Sequence, residues 1–468
     1  MANSRTRFCP FPSVVRAGQT TKITIFPCDI SRRFREEFEY EVGVIGLLDD
    51  MVHYYFKEPL DLPYVIKDGT LQFEYTFSRE QEYQIAFCKK GEKQVKLSVY
   101  ALAEDLYHRR PLKGDLHAHT YYSDGNDGVA MTPADFREQG FDFFALTDHN
   151  RMFTSEFAIK AFENVTLGMH IMKGEEVHTP GSLLHIVAVG GKESVCDKYV
   201  RDPEGYEKAV DEIAETLTDV PETYRRRTAM AKWACGEIRK AGGISIFAHP
   251  FWMPYKYNVS EEFCDILFDQ DIFDALEVMG GIEAANCNLQ LALWQHQSAR
   301  GHKLPVVGSS DTHDHSRSST PFARRFTVLL AKDNTTESIL EAIRQGYCVA
   351  GELPLSSEED VRFYGDLRLV KLAHFLYKNY FDKTFELCAA EGALMQRYAS
   401  GDNVGEVLSA LAPSVENFYK KFYGLSPAPV LSRERTEYLD QLLDAQINSG
   451  IITKGSNLKL FPNKERRE

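Results

Sequence analysis

The stretch DLHAHTYYSDG (residues 115–125) sets His117 and His119 two positions apart and places Asp124 five positions after the second histidine. On an extended strand, residues i and i+2 project to the same side, so both imidazoles can grip one ion. Asp124 follows in a glycine-rich loop, SDGNDG. The plainer reading of such a stretch is a polar surface loop, and the rest of the chain decides between the two.

Working outward, the same residue types recur at the ends of apolar runs. LTDHN (146–150) carries Asp148 and His149, and KGEEVHT (173–179) carries Glu175, Glu176 and His178. LLHIVAVG (183–190) carries His185, ISIFAHP (244–250) carries His249, and VVGSSDTHDH (306–315) carries Asp311, His313 and His315. Eleven of the 14 histidines fall between His117 and His315. One strand-end histidine is ordinarily a packing residue. Six clusters of the same ligand types are not, because burying that many polar groups without partners costs about 1–3 kcal/mol for each.

Beyond Pro111 short apolar runs alternate with helical stretches, the signature of βα units around a parallel sheet. Strands are expected over 141–147, 183–189, 243–248, 274–279 and 304–309, and helices near 132–140, 203–241 and 282–301, the first opening on Thr132-Pro133. From 19 to 102 the pattern alternates and is rich in Val, Ile, Tyr and Phe, with Asp68-Gly69 and Lys90-Gly91 where hairpin turns would fall. After about residue 353 apolar residues recur at three- and four-residue spacing. The expected organisation is therefore an antiparallel β-sandwich over 1–110, an α/β unit over 111–352 that closes into a barrel, and a helical domain over 353–468.

The chain has 468 residues, a formal net charge of −14, 43% apolar and 26% charged residues. That balance disfavours broad electrostatic binding of extended nucleic acid but leaves room for a nucleotide or short oligonucleotide. No run is long and uncharged enough for a membrane helix, and the start lacks the apolar core of a secretory signal, so a cytoplasmic protein is expected. The nine cysteines are scattered, without a CxxC pair, which suggests neither a disulfide framework nor a thiolate metal site.

Imidazole and carboxylate without thiolate suit Zn, Mn, Fe or Co, and nine ligands exceed what one tetrahedral ion uses, so two or three divalent metals are implied. Such a cluster activates water and neutralises the attacked oxygens in a displacement at phosphorus, which makes the expected reaction hydrolysis.

Taken in order, DLHAHT, SDG, LTDHN, GEEV, HIVAVG, AHP and GSSDTH resemble the PHP (polymerase and histidinol phosphatase) superfamily across about 111–350. The resemblance implies a distorted (β/α)7 barrel, a dinuclear or trinuclear site and phosphoesterase activity through a metal-bridging hydroxide. It implies His117, His119 and Asp311 as ligands of a first metal, Glu176 as the bridge, His185 and His249 as ligands of a second, and Asp124, His149 and His313 as ligands of a third. Glu175 adjoins Glu176, and the spacing Gly174-x-Glu176 favours the latter as the bridge. Ser309-Ser310 departs from the shorter Gly-Ser-Asp form, while the Asp311-x-His313 spacing is kept. An Asp at 124 resembles the branch with nucleotide phosphatases and short-RNA exonucleases. The β-domain placed first resembles the carbaryl-hydrolase-like branch, which adds carbamate, ester or amide bonds as the alternative.

Outside the ligand set, Asp148 is a candidate to orient a ligand or take a proton, against the plain role of capping local backbone. His178 and His315 are candidates for leaving-group contact. Arg226, in YRRRTAM, is a candidate to hold a phosphate, against a solvated helix face. Trp252 and Tyr255 are candidates to line a pocket, and Gly280-Gly281 to let backbone approach the site. A metal-holding binding module with no activity is the reading from another class. The expected partner is a small phosphate ester or related molecule, and nothing in the pattern speaks to oligomeric state.

Overall fold

The computed structural model describes residues 7–49, 61–253, 255–281, 283–315, 322–354 and 360–449. The chain divides into two compact units: 1–108 together with 417–468, and 109–416.

In the first unit two four-stranded sheets share one core. One sheet has the order Phe8–Phe11, Gln19–Pro27, Thr70–Phe77, Val65–Lys67, and the other Val14–Arg16, Val95–Leu102, Gln81–Lys89, Tyr40–Gly46. The two-residue side-chain period sends Ile23, Ile25, Leu71 and Phe73 from one sheet and Ile85, Phe87 and Val99 from the other into the same buried cluster. Asp68 and Gly69 both have positive φ, 49° and 73°, as a tight hairpin turn between Val65–Lys67 and Thr70–Phe77 requires. The sandwich is antiparallel except where Val14–Arg16 runs parallel to Val95–Leu102.

The second unit is mixed α/β. Six strands pair in the order His170–Met172, Phe143–Ala145, Arg110–Asp115, Arg325–Ala331, Cys348–Glu352, Arg362–Tyr364. Five more pair in the order Gly174–Val177, Ile186–Val189, Ile244–Phe247, Ala275–Met279, Val306–Gly308. Every expected strand is present, shortened by one to four residues. The ladders form two separate sheets, not one closed parallel barrel. Residues 178–185 are too few for the crossover that a parallel pair needs, so Gly174–Val177 and Ile186–Val189 pair antiparallel, as do Ile186–Val189 and Ile244–Phe247. Single bridges, Ala118 to Thr312 and His149 to Glu176, join residues of the two strand series at the rim.

The helix expected over 203–241 is two, Pro203–Thr216 and Glu222–Lys240, with Pro221 capping the second. Thr132 lies inside the first turn of Met131–Glu138, whose cap is Ala130, and its hydroxyl donates to the Gly128 carbonyl. The C-terminal helices do not form a unit of their own. Leu367–Leu376, Asp382–Ala399 and Gly405–Leu411 belong to the α/β unit, and Arg433–Asn448 to the sandwich unit.

A buried ion cluster explains the first of these assignments. Arg137, on Met131–Glu138, meets Glu391, on Asp382–Ala399, through Nε at 2.9 Å and Nη2 at 2.7 Å. Its Nη1 donates to Asp142 (3.1 Å) and to the Phe141 carbonyl (2.8 Å). Separating these helices would leave charges buried and unpaired.

Candidate metal centre

The rim where the two strand series meet collects all nine expected ligands. His117 and His119 follow strand Arg110–Asp115, and their Nε2 atoms converge to 3.2 Å, as the two-residue spacing requires. His149 follows Phe143–Ala145, His249 follows Ile244–Phe247, and Asp311 and His313 follow Val306–Gly308. His185 arrives differently. It precedes the antiparallel strand Ile186–Val189, so its N-terminal end reaches the rim that the other strands reach with their C-terminal ends.

Glu176 stands at the centre, fully buried. Its Oε2 lies 3.2 Å from His117 Nε2, 3.3 Å from His119 Nε2 and 2.9 Å from His149 Nδ1. Its Oε1 lies 2.8 Å from His185 Nδ1, 3.4 Å from His178 Nε2 and 3.5 Å from His249 Nε2. One carboxylate therefore turns one oxygen toward each of two imidazole groups. Asp311 Oδ1 lies 3.1 Å from His119 Nε2 and 3.3 Å from His117 Nε2, and its Oδ2 lies 3.7 Å from His249 Nε2. Asp124 reaches His149 and His313 Nε2, each at 3.3 Å. Among the described residues, Glu176 joins three groups whose ligand atoms lie within 4.8 Å of one another: with His117 and His119, with His149 and His178, and with His185 and His249. His119, Asp124, His149 and His313 form a further such group.

Both Glu176 oxygens are buried without a hydrogen-bond partner, and so are His149 Nδ1, His178 Nε2 and His185 Nδ1. Carboxylate oxygens and ring nitrogens drawn to 2.8–3.5 Å of one another without hydrogen-bond geometry are costly unless positive charge, as protons or metal, sits among them, and this donor set fits divalent metal ions. Charge follows the same layout. Burial opposes the His117 cation, yet Asp311, Glu176 and Glu277 outweigh it and hold its pKa well above the ordinary value. For His149 burial is likewise outweighed, by Asp124 and Glu176, and its pKa rises to about 10. Burial opposes the Asp124 charge too, but His149 and His313 hold it far below the carboxylate range. His185 goes the other way, pushed down by burial to about 4. A bound cation would take the place of these protons.

The backbone is strained where the expected ligands are presented. His249 has φ of 23°, Asp311 of 50° and Asn150, next to His149, of 55°. Such values in non-glycine residues persist where the surroundings over-determine them.

The remaining candidates separate. Asp148 accepts from the Thr120 amide (2.7 Å), the Thr120 hydroxyl (2.7 Å) and the Ser123 hydroxyl (2.6 Å), so it braces the loop between His119 and Asp124. His178 joins the cluster, its ring 3.9 Å from that of His185 and 4.4 Å from that of His149. His315 does not: its Nδ1 lies 2.8 Å from Asp135, its amide donates to Asp127, and its ring stacks on Phe322. It pins the His313 loop. Arg226 is bound to Glu207 and Asp211 of the neighbouring helix Pro203–Thr216, the solvated-face reading. Glu175 points away from Glu176, as strand alternation demands, and accepts from Ser194 Oγ (2.7 Å) and the Val195 amide (2.6 Å) at the start of helix Val195–Arg201. Trp252 lies 5.5 Å from the His185 ring, while Tyr255 is fully exposed. One buried acid at the site went unread in the sequence. Glu277, 1% exposed, lies 3.1 Å from His117 Nδ1, and its only signal was a lone charge inside the apolar strand ALEVM.

No family model matches the chain, and no curated protein matches it. Solved structures similar to it include a two-domain protein from Bacteroides vulgatus ATCC 8482 containing a predicted PHP-like metal-dependent phosphoesterase. That likeness has 20% identity and a TM-score of 0.37, over 52% of this chain and 66% of that one. A second is a protein from Bifidobacterium adolescentis ATCC 15703 described as a candidate metal-dependent phosphoesterase, with 19% identity and a TM-score of 0.32, over 44% of this chain and 90% of that one. A third is an amidohydrolase from Chromobacterium violaceum with bound sulfate and no metal, with 20% identity and a TM-score of 0.31, over 44% and 89%.

Proposed function

We propose that the chain is a divalent-metal-dependent hydrolase of PHP type, with a barrel-like rim holding two or three Zn, Mn or Fe ions, and that it cleaves small phosphate esters or nucleotides. The observation that carries this reading is Glu176, whose two buried oxygens face two different imidazole groups and have no hydrogen-bond partner. A carboxylate so placed would hold two ions, one at each oxygen.

His117, His119 and Asp311 would hold one ion, His185 and His249 a second, and Asp124, His149 and His313 a third. Bound there, divalent ions lower the pKa of water and polarise the ester under attack. Asp148 keeps the His119–Asp124 loop in place through its three hydrogen bonds. His178 lies at the cluster outside the nine ligands, its Nε2 3.4 Å from Glu176 Oε1, and takes the leaving-group contact expected of it.

Metal-stripped protein resupplied with Zn, Mn or Fe is assayed against phosphomonoesters, nucleotides, phosphodiesters, and aryl carbamates and esters. The expected result is metal-dependent release of phosphate. Cleavage of carbamates or esters alone would move the reaction to carbonyl carbon at the same ions. Metal-loaded protein that cleaves none of them would mark a binding module.

A further inference from the structure

We infer that Glu277 is a positioning residue that sets the tautomer of His117 and ties two ligand-bearing strand ends together; this rests on the metal reading above. Glu277 is buried on strand Ala275–Met279. Its Oε1 lies 3.1 Å from His117 Nδ1, and its Oε2 accepts from the His249 backbone amide at 3.2 Å. The contrast with Glu176 assigns the role. Both oxygens of Glu277 are hydrogen-bonded, one with an imidazole and one with an amide, whereas neither oxygen of Glu176 has a hydrogen-bond partner. A carboxylate committed in this way keeps the proton on His117 Nδ1 and leaves the Nε2 lone pair facing Glu176 and Asp311. The bond to the His249 amide holds that residue at its positive φ of 23°. Space for the carboxylate comes from Gly280: a Cβ there would fall 2.2 Å from Glu277 Cδ and 2.3 Å from Oε2.

The test is zinc affinity, by competition with a chromophoric chelator, in the wild type, Glu277→Gln and Gly280→Ala, alongside the thermal midpoint of each stripped protein. Gln has the shape of Glu but cannot accept from both His117 and the His249 amide. Affinity is expected to fall about 10- to 100-fold in Glu277→Gln, and in the same direction in Gly280→Ala, with the stripped midpoints close to that of the wild type. Wild-type affinity in both variants would overturn the inference. A wild type that binds no zinc would overturn the metal reading, and this inference with it.

An independent observation lies in the sandwich unit. Cys9 and Cys28 are exposed, with their sulfurs 3.1 Å apart, and the antiparallel pairing of Phe8 with Pro27 and the bond from the Cys28 amide to the Arg7 carbonyl (2.9 Å) hold them there. The other seven cysteines are buried, and burial pushes the thiols of Cys235, Cys348 and Cys388 up to about 12. We propose that Cys9 and Cys28 form an oxidation site that closes to an intramolecular disulfide. The two thiols give up two protons and two electrons as the S–S bond forms, and a disulfide oxidant such as oxidised glutathione takes them up as two thiols. Native protein treated with oxidised glutathione should lose two hydrogens in mass and yield a Cys9–Cys28 cross-linked peptide, and Cys9→Ser should instead carry a glutathione adduct at Cys28. Wild-type protein that keeps both thiols, or accumulates stable adducts on them, would overturn the proposal.

Discussion

The α/β unit buries two clusters of charge that differ in one physical respect. Around Arg137 every polar atom is spoken for: three guanidinium nitrogens meet Glu391, Asp142 and the Phe141 carbonyl, Glu391 Oε1 accepts from the Gly168 amide, and Asp142 Oδ2 accepts from the Lys113 amide. Around Glu176 carboxylate oxygens and ring nitrogens crowd together, and neither Glu176 oxygen has a hydrogen-bond partner. The first cluster is complete as protein. The second is complete only with cations, and that difference, more than the count of histidines, separates a structural ion network from a metal site.

The largest effect that could break this comparison comes from Glu176→Gln. Loss of the bridge should abolish metal retention and lower metal-dependent hydrolysis by about 10³-fold or more, since ions in such sites contribute several kcal/mol of charge stabilisation. Elemental analysis with steady-state rates checks both. Glu391→Gln should fail in the opposite sense. Its removal leaves Arg137 short of a partner and should cost about 3–5 kcal/mol of stability by denaturant titration, with the metal content of the folded protein unchanged. If instead Glu391→Gln sheds metal and Glu176→Gln does not, the two clusters have been assigned the wrong way round.

Lys113 offers a smaller, pH-dependent refinement at the edge of the complete cluster. Burial, the dominant influence, pulls its ammonium down to about 8. Between about 8 and the usual lysine value the unfolded chain therefore binds more protons than the folded one, and wild-type stability rises with pH across that window. Lys113→Met removes the dependence. Its stability relative to wild type should be most favourable below pH 8 and decline by about 1–3 kcal/mol toward pH 10.5, as measured by denaturant titration at each pH.

What could be read in advance follows from which features are local. The His117-x-His119 pair, the strand-end placement of His149, His249 and Asp311, and the Asp68-Gly69 turn are matters of two-residue periodicity and turn chemistry, and the structure brings each where that periodicity puts it. Strand alternation alone puts Glu175 and Glu176 on opposite faces but does not say which face is the site. The antiparallel runs of Ile186–Val189 and Arg325–Ala331 depend on loop length and long-range pairing, so the closed parallel barrel expected from βα alternation gives way to two sheets. Arg226 and His315 show the same limit for side chains: a charge in a helix or loop does not disclose that its partner is Asp211 or Asp135. The helices after residue 353 were legible as helices, but their division between units rests on tertiary pairs such as Arg137 with Glu391, 254 residues apart.

The most direct test of the central claim is the divalent metal content of the purified protein, measured by elemental analysis before and after dialysis against a chelator, with the thermal midpoint followed in parallel. Two or three equivalents per chain, lost on chelation together with a fall in the midpoint, is the predicted result. A protein that carries no divalent metal after equilibration with Zn or Mn, and whose midpoint is indifferent to the chelator, would contradict it.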